Sequence, residues 1–293
     1  MERRATLGGL AALALWSASV ALTRGLCESL GTLTGPGLAA LLGGALGLLW
    51  TDPRRMLALP KRYLLVCGGL FVSCNAGMYL AVGGAPNRSA VLAVALVNYL
   101  WPALTVALSV PVLGRRARWY LPLGCLIAVA GTAMALLGGQ GFRCSELGTG
   151  VLVPAAWAGV AALSWGLYSN LARLWGGTEE GAVPLFALCT GAALLLLRVF
   201  RPEPLHWTPK ALMELVLLGV ASMMAAYALW DEGMRKGDAL LLGLASYFVP
   251  IASTLISSVY LGVWPGWGVL AGSGLVVAGA FVSRRALVAD AKT

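Results

Sequence analysis

Two stretches of the chain repeat one pattern of polar residues and prolines. The first holds Asn98, Pro102, Thr105 and Ser109, and the second, 148 residues later, holds Ser246, Pro250, Ser253 and Ser257. A spacing of four, three and four residues puts each set on one face of a helix. Such a face could bind the polar groups of a ligand, or it could only pack helices and satisfy backbone carbonyls. For Ser109 and Ser257 taken alone, the second interpretation is favoured.

The two prolines add hydrogen-bond acceptors to these stretches. Proline has no N–H, so Pro102 leaves the carbonyl of Asn98 without its helical donor. Pro250 is predicted to do the same to the carbonyl of Ser246. A buried carbonyl freed in this way could accept a hydrogen bond from the ammonium group of a ligand. The alternative is a structural kink whose carbonyl is satisfied by a neighbouring helix.

Aromatic residues accompany both stretches and extend the candidate site. Trp and Tyr rings stack on flat apolar ligands, although any one of them could equally be ordinary core. The predicted substrate-binding residues are Trp16, Tyr79, Asn98, Tyr99, Trp101, Pro102, Trp165, Tyr168, Tyr227, Ser246, Tyr247, Pro250 and Ser253.

Catalytic and metal chemistry find little support in the chain. The sequence has no CxxC motif and no Cys/His cluster, and His206 is its single histidine. We therefore expect no catalytic residues, no metal and no other cofactor. The densest acidic group is Asp231, Glu232 and Asp238, which basic residues accompany, and it is interpreted as a solvated loop.

The composition places these residues in a membrane protein. Of the 293 residues, 59% are hydrophobic and 11% are charged, and the mean hydropathy is +0.82. A soluble domain is about 45–50% apolar and about 25% charged. This excludes a soluble enzyme, a nucleic-acid binder and a disordered chain. Ten apolar runs are long enough to span a bilayer: 6–23, 32–50, 63–83, 89–113, 119–138, 148–170, 182–200, 211–231, 238–262 and 266–283.

The charges between these runs predict the orientation. If the N-terminus is cytoplasmic, 15 of the 21 Lys and Arg residues lie in cytoplasmic segments. The positive-inside rule therefore places both termini in the cytoplasm. Seven of the eleven tryptophans fall at span ends, as an interfacial aromatic belt predicts: Trp50, Trp119, Trp175, Trp207, Trp230, Trp264 and Trp267.

The halves of the chain resemble each other. At an offset of 148 residues, Tyr79 matches Tyr227, Tyr99 matches Tyr247, Pro102 matches Pro250 and Trp119 matches Trp267. The repeats are predicted at 1–140 and 141–293. Each half has five spans, and an odd number inverts the second half in the membrane, which is typical of secondary transporters. The predicted fold is an all-α integral membrane protein with ten transmembrane helices, arranged as two inverted five-helix repeats around a central cavity.

Several motifs resemble the EamA-type branch of the drug/metabolite transporter superfamily, and within it the exporters of aromatic amino acids. They are Val-Asn-Tyr-Leu-Trp-Pro-Ala-Leu-Thr at 97–105, Ala-Leu-Trp-Ser at 14–17 and Ser-Tyr-Phe at 246–248. The resemblance implies a basket-like fold that exports Phe, Tyr and Trp by alternating access across a bacterial inner membrane. Another small metabolite or drug is the alternative substrate, and an integral-membrane lipid-modifying enzyme is the alternative outside the transporter class. Arg115 and Val263 stand where many members have Glu after the glycine that ends spans four and nine.

Partners and coupling complete the expectations. The partners are the amino acid substrate and the lipid bilayer, with no nucleic acid, and the protein is expected to be a monomer. The span centres hold no Asp, Glu, Lys, Arg or His, and Glu28 and Glu214 stand at span ends. Since intramembrane charge is conspicuous where function needs it, transport should not strictly require a proton gradient. A channel, with flux that does not saturate, is a further alternative. Cys27 and Cys144 are predicted on the outer side of the membrane, opposite the cytoplasm, as free thiols.

Overall fold

The structure is a computed structural model that describes residues 2–137, 149–176, 182–203, 205–238, 241–242 and 245–288. Within these ranges the regular elements are helical, and an isolated antiparallel bridge joins Ala117 to Leu287. The predicted all-α class is confirmed.

The helices follow the predicted apolar runs. They are α1 Glu2–Leu30, α2 Thr34–Gly47, α3 Pro53–Leu57, α4 Gly68–Gly84, α5 Arg88–Asn98, α6 Trp101–Leu113, α7 Leu121–Leu137, α8 Thr149–Trp175, α9 Val183–Phe200, α10 Pro209–Val216, α11 Tyr227–Lys236, α12 Val249–Leu261 and α13 Gly266–Ala286. The π-helical segment Tyr63–Cys67 leads directly into α4, and the π-helical segment Leu217–Ala226 connects α10 to α11. The 3-10 turn Ser246–Phe248 precedes α12. Glu232 lies inside α11 and not in a loop, because the helix continues past the predicted span end.

Seven described helical runs are long and apolar enough to cross a membrane. Two shorter apolar helices, Leu121–Leu137 and Ser246–Leu261, fall in predicted spans as well. In the remaining predicted span, 32–50, the helix α2 has 14 residues. The chain thus has the many apolar helices that were predicted, and the count of ten crossings stays a prediction.

The helices group into two compact units that do not coincide with the two halves of the sequence. Unit 1 comprises Met1–Leu59, Val82–Gly84 and Glu180–Val263, and unit 2 comprises Pro60–Ala81, Ala85–Glu179 and Trp264–Thr293. Each unit therefore takes helices from both halves of the chain.

In unit 1, α1 packs against α11 and α12, and α2 packs against α9. A distant carboxylate completes the start of α2. The Glu203 side chain accepts hydrogen bonds from the N–H groups of Leu33 and Thr34 at 3.0 and 2.9 Å. The first N–H groups of a helix have no partner within it, so Glu203 ties the segment after α9 to α2.

In unit 2, α7 and α13 form an extensive contact through small residues. Gly131 and Gly272 lie so close that a Cβ on either would meet the backbone carbonyl of the other. Gly279 makes a similar approach to α7. The sequence predicts close helix contacts for the glycines of the last span. For Gly274 this prediction is wrong, because a Cβ there would meet nothing within 4 Å among the described atoms.

Candidate functional site

The first polar stretch lies at a break between two helices of unit 2. Helix α5 ends at Asn98 and α6 begins at Trp101. Between them, the Tyr99 N–H donates to the Leu96 carbonyl at 3.0 Å. Pro102 occupies the first turn of α6, where a missing N–H costs nothing because that group would have no helical acceptor. The proline therefore starts a new helix after a turn.

Asn98 offers two oxygen acceptors at this break. Pro102 has no N–H for the Asn98 carbonyl, and no other backbone N–H in the described ranges donates to it. The side-chain Oδ1 of Asn98 is buried and has no hydrogen-bond partner among the described residues. Buried polar atoms are nearly always hydrogen-bonded, and the Asn98 side-chain oxygen departs from that rule in the described structure.

In the corresponding stretch of unit 1, the carbonyl before the proline already accepts a hydrogen bond. The N–H of Val249 donates to the carbonyl of Ser246 in the 3-10 turn before α12. The prediction that Pro250 frees the Ser246 carbonyl is therefore wrong, because the tighter turn supplies a donor one residue before the proline. The two stretches share a sequence spacing but not a hydrogen-bonding pattern.

Two hydroxyl groups of the first stretch bond within their own helix, α6. Thr105 and Ser109 donate to the carbonyls of Trp101 and Val106, both at 2.7 Å. This confirms the packing interpretation for Ser109. The Ser257 hydroxyl, in contrast, is buried and finds no hydrogen-bond partner in the part of the chain that the structure describes.

Asn170 of α8 joins the same region of unit 2. Its amide Nδ2 donates to the Thr105 carbonyl at 3.0 Å and to the Gly166 carbonyl at 2.8 Å. The first bond crosses from α8 to α6. It therefore fixes α6, which carries Trp101, against α8, which carries Trp165.

Four rings form what we call the unit 2 aromatic cluster: Phe71, Trp101, Trp165 and Tyr168. Trp165 stacks on Tyr168 with ring centres 5.2 Å apart and meets Trp101 edge-on at 6.4 Å. Phe71 contacts Tyr168 at 5.8 Å and Trp165 at 6.5 Å. Phe71 is fully buried, whereas the other three rings are half-buried. The cluster thus has one fully buried ring, Phe71, and three rings whose surfaces are partly accessible.

A smaller set, the unit 1 aromatic cluster, consists of Trp16, Tyr227 and Trp230. Trp16 meets Tyr227 edge-on at 5.0 Å and Trp230 at 5.6 Å. All three rings are half-buried. The clusters correspond through the sequence repeat at Trp16 and Trp165, which lie 149 residues apart.

The predicted site residues divide between the units. Unit 1 holds Trp16, Tyr227, Ser246, Tyr247, Pro250 and Ser253, and unit 2 holds Tyr79, Asn98, Tyr99, Trp101, Pro102, Trp165 and Tyr168. The rings of Tyr79, Tyr99 and Tyr247 are 4–6% exposed and belong to the cores of their units. The prediction omits Phe71 and Trp230. Trp230 is assigned to the interfacial belt by its position at a span end, and Phe71 is an ordinary apolar residue by sequence.

Metal and thiol chemistry add nothing to the site. Among the described residues, no group of three His, Cys, Asp or Glu side chains could hold a metal ion. Cys27 is a free, buried thiol. Cys144 lies outside the described residues.

Family and relatives follow from comparison with known proteins. The model of the EamA-like transporter family matches residues 3–137 and 153–285. The chain belongs to the EamA-like transporter family. Two relatives named aromatic amino acid exporter YddG cover 89% of the chain and 89% of their own length. That of Escherichia coli (strain K12) is 30% identical and that of Salmonella typhimurium (strain 14028s / SGSC 2262) is 32% identical.

A third relative and a solved structure extend the likeness to nearly the whole chain. The aromatic amino acid exporter YddG of Ancylobacter novellus is 32% identical over 95% of this chain and 96% of its own. A crystal structure of a protein with 30% identity covers 97% of this chain and 99% of that chain, with a TM-score of 0.70. Membership in this transporter family confirms the expectation that the chain is a transporter and not an enzyme.

Proposed function

We propose that this EamA-like transporter exports Phe, Tyr and Trp across a bacterial inner membrane by alternating access. The open acceptors of Asn98, three residues before Trp101 of the unit 2 aromatic cluster, carry the proposal. Three relatives of nearly full length are named aromatic amino acid exporters, which supports the same substrate class.

An aromatic amino acid presents two groups to such a site. Its ring can stack on or meet edge-on the half-buried rings of Trp101 and Trp165. Its ammonium group has three N–H donors and no acceptor, as in a lysine side chain. Asn98, three residues before Trp101, supplies two oxygens that only accept. Leaving a buried acceptor unpaired is costly, so the ammonium would relieve that cost when it binds.

Uptake into proteoliposomes tests this function. We expect saturable flux of labelled Phe and Trp that exceeds that of Leu, and no flux of Lys. A flux that rises linearly with concentration would indicate a channel. Transport of none of these amino acids by folded protein would point to another metabolite or drug.

Asn98 gives a prediction of its own. Asn98→Val should raise the KM for Trp, Phe and Leu by a similar factor, about tenfold, because it removes a hydrogen bond to a charged group that all three share. Inhibition by indole-3-propionate, which lacks the ammonium group, should change little. Ser109→Val is the matched control on the same stretch, since the Ser109 hydroxyl already donates to the Val106 carbonyl of its own helix. If Asn98→Val also weakens inhibition by indole-3-propionate, the substitution has disrupted the helix break and has not only removed a contact with the ammonium group.

The proposed topology has ten spans in two inverted repeats, 1–140 and 141–293, with both termini cytoplasmic. Single cysteines near Arg116 and Lys236, in a background without native cysteines, should resist an impermeant thiol reagent in intact cells. A cysteine near Gly266 should react. The opposite labelling pattern would contradict the orientation that the Lys and Arg distribution predicts.

A further inference from the structure

One ionisable side chain of unit 1 is completely buried. Glu214 lies in α10, and its side chain is 0% exposed. A carboxylate away from water is unfavourable unless partners replace its hydration. The sequence places Glu214 near a span end, where an exposed side chain would be expected. Its burial therefore requires a reason.

Two of the groups that contact the Glu214 carboxyl respond differently to its charge. The Tyr260 hydroxyl, in the last turn of α12, donates to Oε1 at 2.5 Å. The Lys210 nitrogen, one turn earlier in α10, lies 3.8 Å from Oε1 and 5.2 Å from the Tyr260 ring centre. A hydroxyl can donate to a carboxyl oxygen in either protonation state. The attraction to the positively charged Lys210 ammonium group, in contrast, exists only while the carboxyl is ionised.

The Lys210 side chain is 57% exposed. Water and salt therefore compete with its attraction to Glu214, as they do for any exposed charge. Of these two partners, the half-buried Tyr260 hydroxyl can stay bound when the carboxyl changes its charge, whereas the attraction to the solvated Lys210 cannot persist.

Helix α1 lies directly against the carboxyl. At Gly25, an added Cβ would overlap the Glu214 side chain. The neighbouring charged groups of α1 bind each other, because Arg24 donates to Glu28 at 2.8 Å. Arg24 also donates to the Val82 carbonyl at 3.2 Å.

The other elements around α10 carry few charges. Cys27 is the remaining titratable group on this part of α1, and Tyr260 is the one titratable residue of α12. Helix α2 and the π-helical segment Leu217–Ala226 also pack against α10 and contain no titratable residue. Glu203 is engaged with the start of α2.

We propose that Glu214 is a proton-binding site that makes transport depend on pH, an inference that rests on the function proposed above. The carboxylate takes a proton from the water that solvates Lys210, which ends the attraction to the amine, and returns it to that water when it ionises. Tyr260 connects this charge change to α12, the helix that contains Pro250. Proton binding therefore shifts the conformational populations of α12. No gradient is required, because the effect operates at equal pH on both sides.

Glu214→Gln tests the site, since glutamine resembles the protonated carboxyl but cannot ionise. Glu232→Gln is the matched control. Its carboxylate also faces a lysine four residues away in sequence, with Lys236 at 3.9 Å, but its side chain is 53% exposed. The measurement is exchange of labelled Trp in proteoliposomes at equal internal and external pH. Between about pH 5.5 and pH 8.5, exchange by wild type and Glu232→Gln should change about threefold or more, and exchange by Glu214→Gln should stay constant.

Infrared difference spectra of the same proteins supply a readout that needs no transport. On acidification, wild type and Glu232→Gln should gain the carbonyl stretch of a buried protonated carboxyl, and Glu214→Gln should lack it. If wild type exchanges no Trp, the proposed function fails, while the infrared band still decides whether Glu214 binds a proton. An exchange independent of pH in wild type, or a profile unchanged in Glu214→Gln, would overturn the proposal. If Glu214→Gln does not fold, Tyr260→Phe replaces it, and an unchanged midpoint of the infrared titration in that variant would overturn the proposal equally.

Discussion

We expect Trp101→Ala to lower the ratio of Trp transport to Ala transport by about twofold to tenfold. This is the range for losing one aromatic contact of about 0.5–1.5 kcal/mol. Trp101 meets Trp165 edge-on at 6.4 Å and is half-buried in the unit 2 aromatic cluster. An aromatic substrate uses that ring, whereas alanine has no ring to place against it. The measurement is the ratio of kcat/KM values for Trp, Phe and Ala in proteoliposomes.

Selectivity is the readout because removing a buried Trp can cost about 3–5 kcal/mol of stability. A folding defect would lower all three rates together. Trp119→Ala is the matched control, since this Trp of unit 2 is 87% exposed and should leave the ratio unchanged. If inserted, folded Trp101→Ala keeps the wild-type ratios, Trp101 is packing core and the aromatic substrate binds elsewhere.

Gly131→Ala should be strongly destabilising for a change of one methyl group. The added Cβ would lie 2.6 Å from the Gly272 carbonyl oxygen, and a backbone atom cannot rotate away as a side chain could. Overpacking of this kind costs about 1–3 kcal/mol. Each kcal/mol lowers the melting temperature of a protein this large by about 2–4 °C. The measurement is the apparent melting temperature of the purified protein in detergent.

Gly274→Ala isolates the effect of the close contact. It makes the same substitution on α13, two residues from Gly272, where a Cβ meets nothing within 4 Å in the described structure. Alanine is also preferred over glycine inside a helix by about 0.5–1 kcal/mol, so this variant should be neutral or more stable. Equal melting temperatures for the two variants would show that α7 and α13 do not depend on their glycine contact.

The helical class and the break in the fourth span were predictable from local sequence. Apolar runs of about 20 residues indicate helices in lipid, and Pro102 cannot continue the hydrogen bonding of α5. The same logic is wrong at Ser246. Whether a carbonyl before a proline stays open depends on how the intervening turn closes, and a 3-10 turn supplies the Val249 N–H.

Contacts between distant segments were not predictable in this way. The sequence identifies Trp101 and Trp165 separately, but their pairing and the role of Phe71 depend on how α4, α6 and α8 pack. Trp230 has the position of an interfacial residue and nevertheless meets Trp16. Glu214 resembles an exposed end-of-span charge, and its burial follows from Gly25, whose missing side chain admits the carboxyl. Sequence periodicity reports which face of one helix is polar, but not which distant helix covers it.

Counterflow in proteoliposomes tests the central claim, a carrier for aromatic amino acids, most directly. Vesicles are loaded with a high concentration of unlabelled amino acid, and labelled Trp is added outside at low concentration. A carrier that alternates between two faces should accumulate labelled Trp transiently when Phe or Trp is inside, and should not do so when Lys is inside. Transient accumulation that is the same for all internal amino acids, or simple equilibration without an overshoot, would contradict the account.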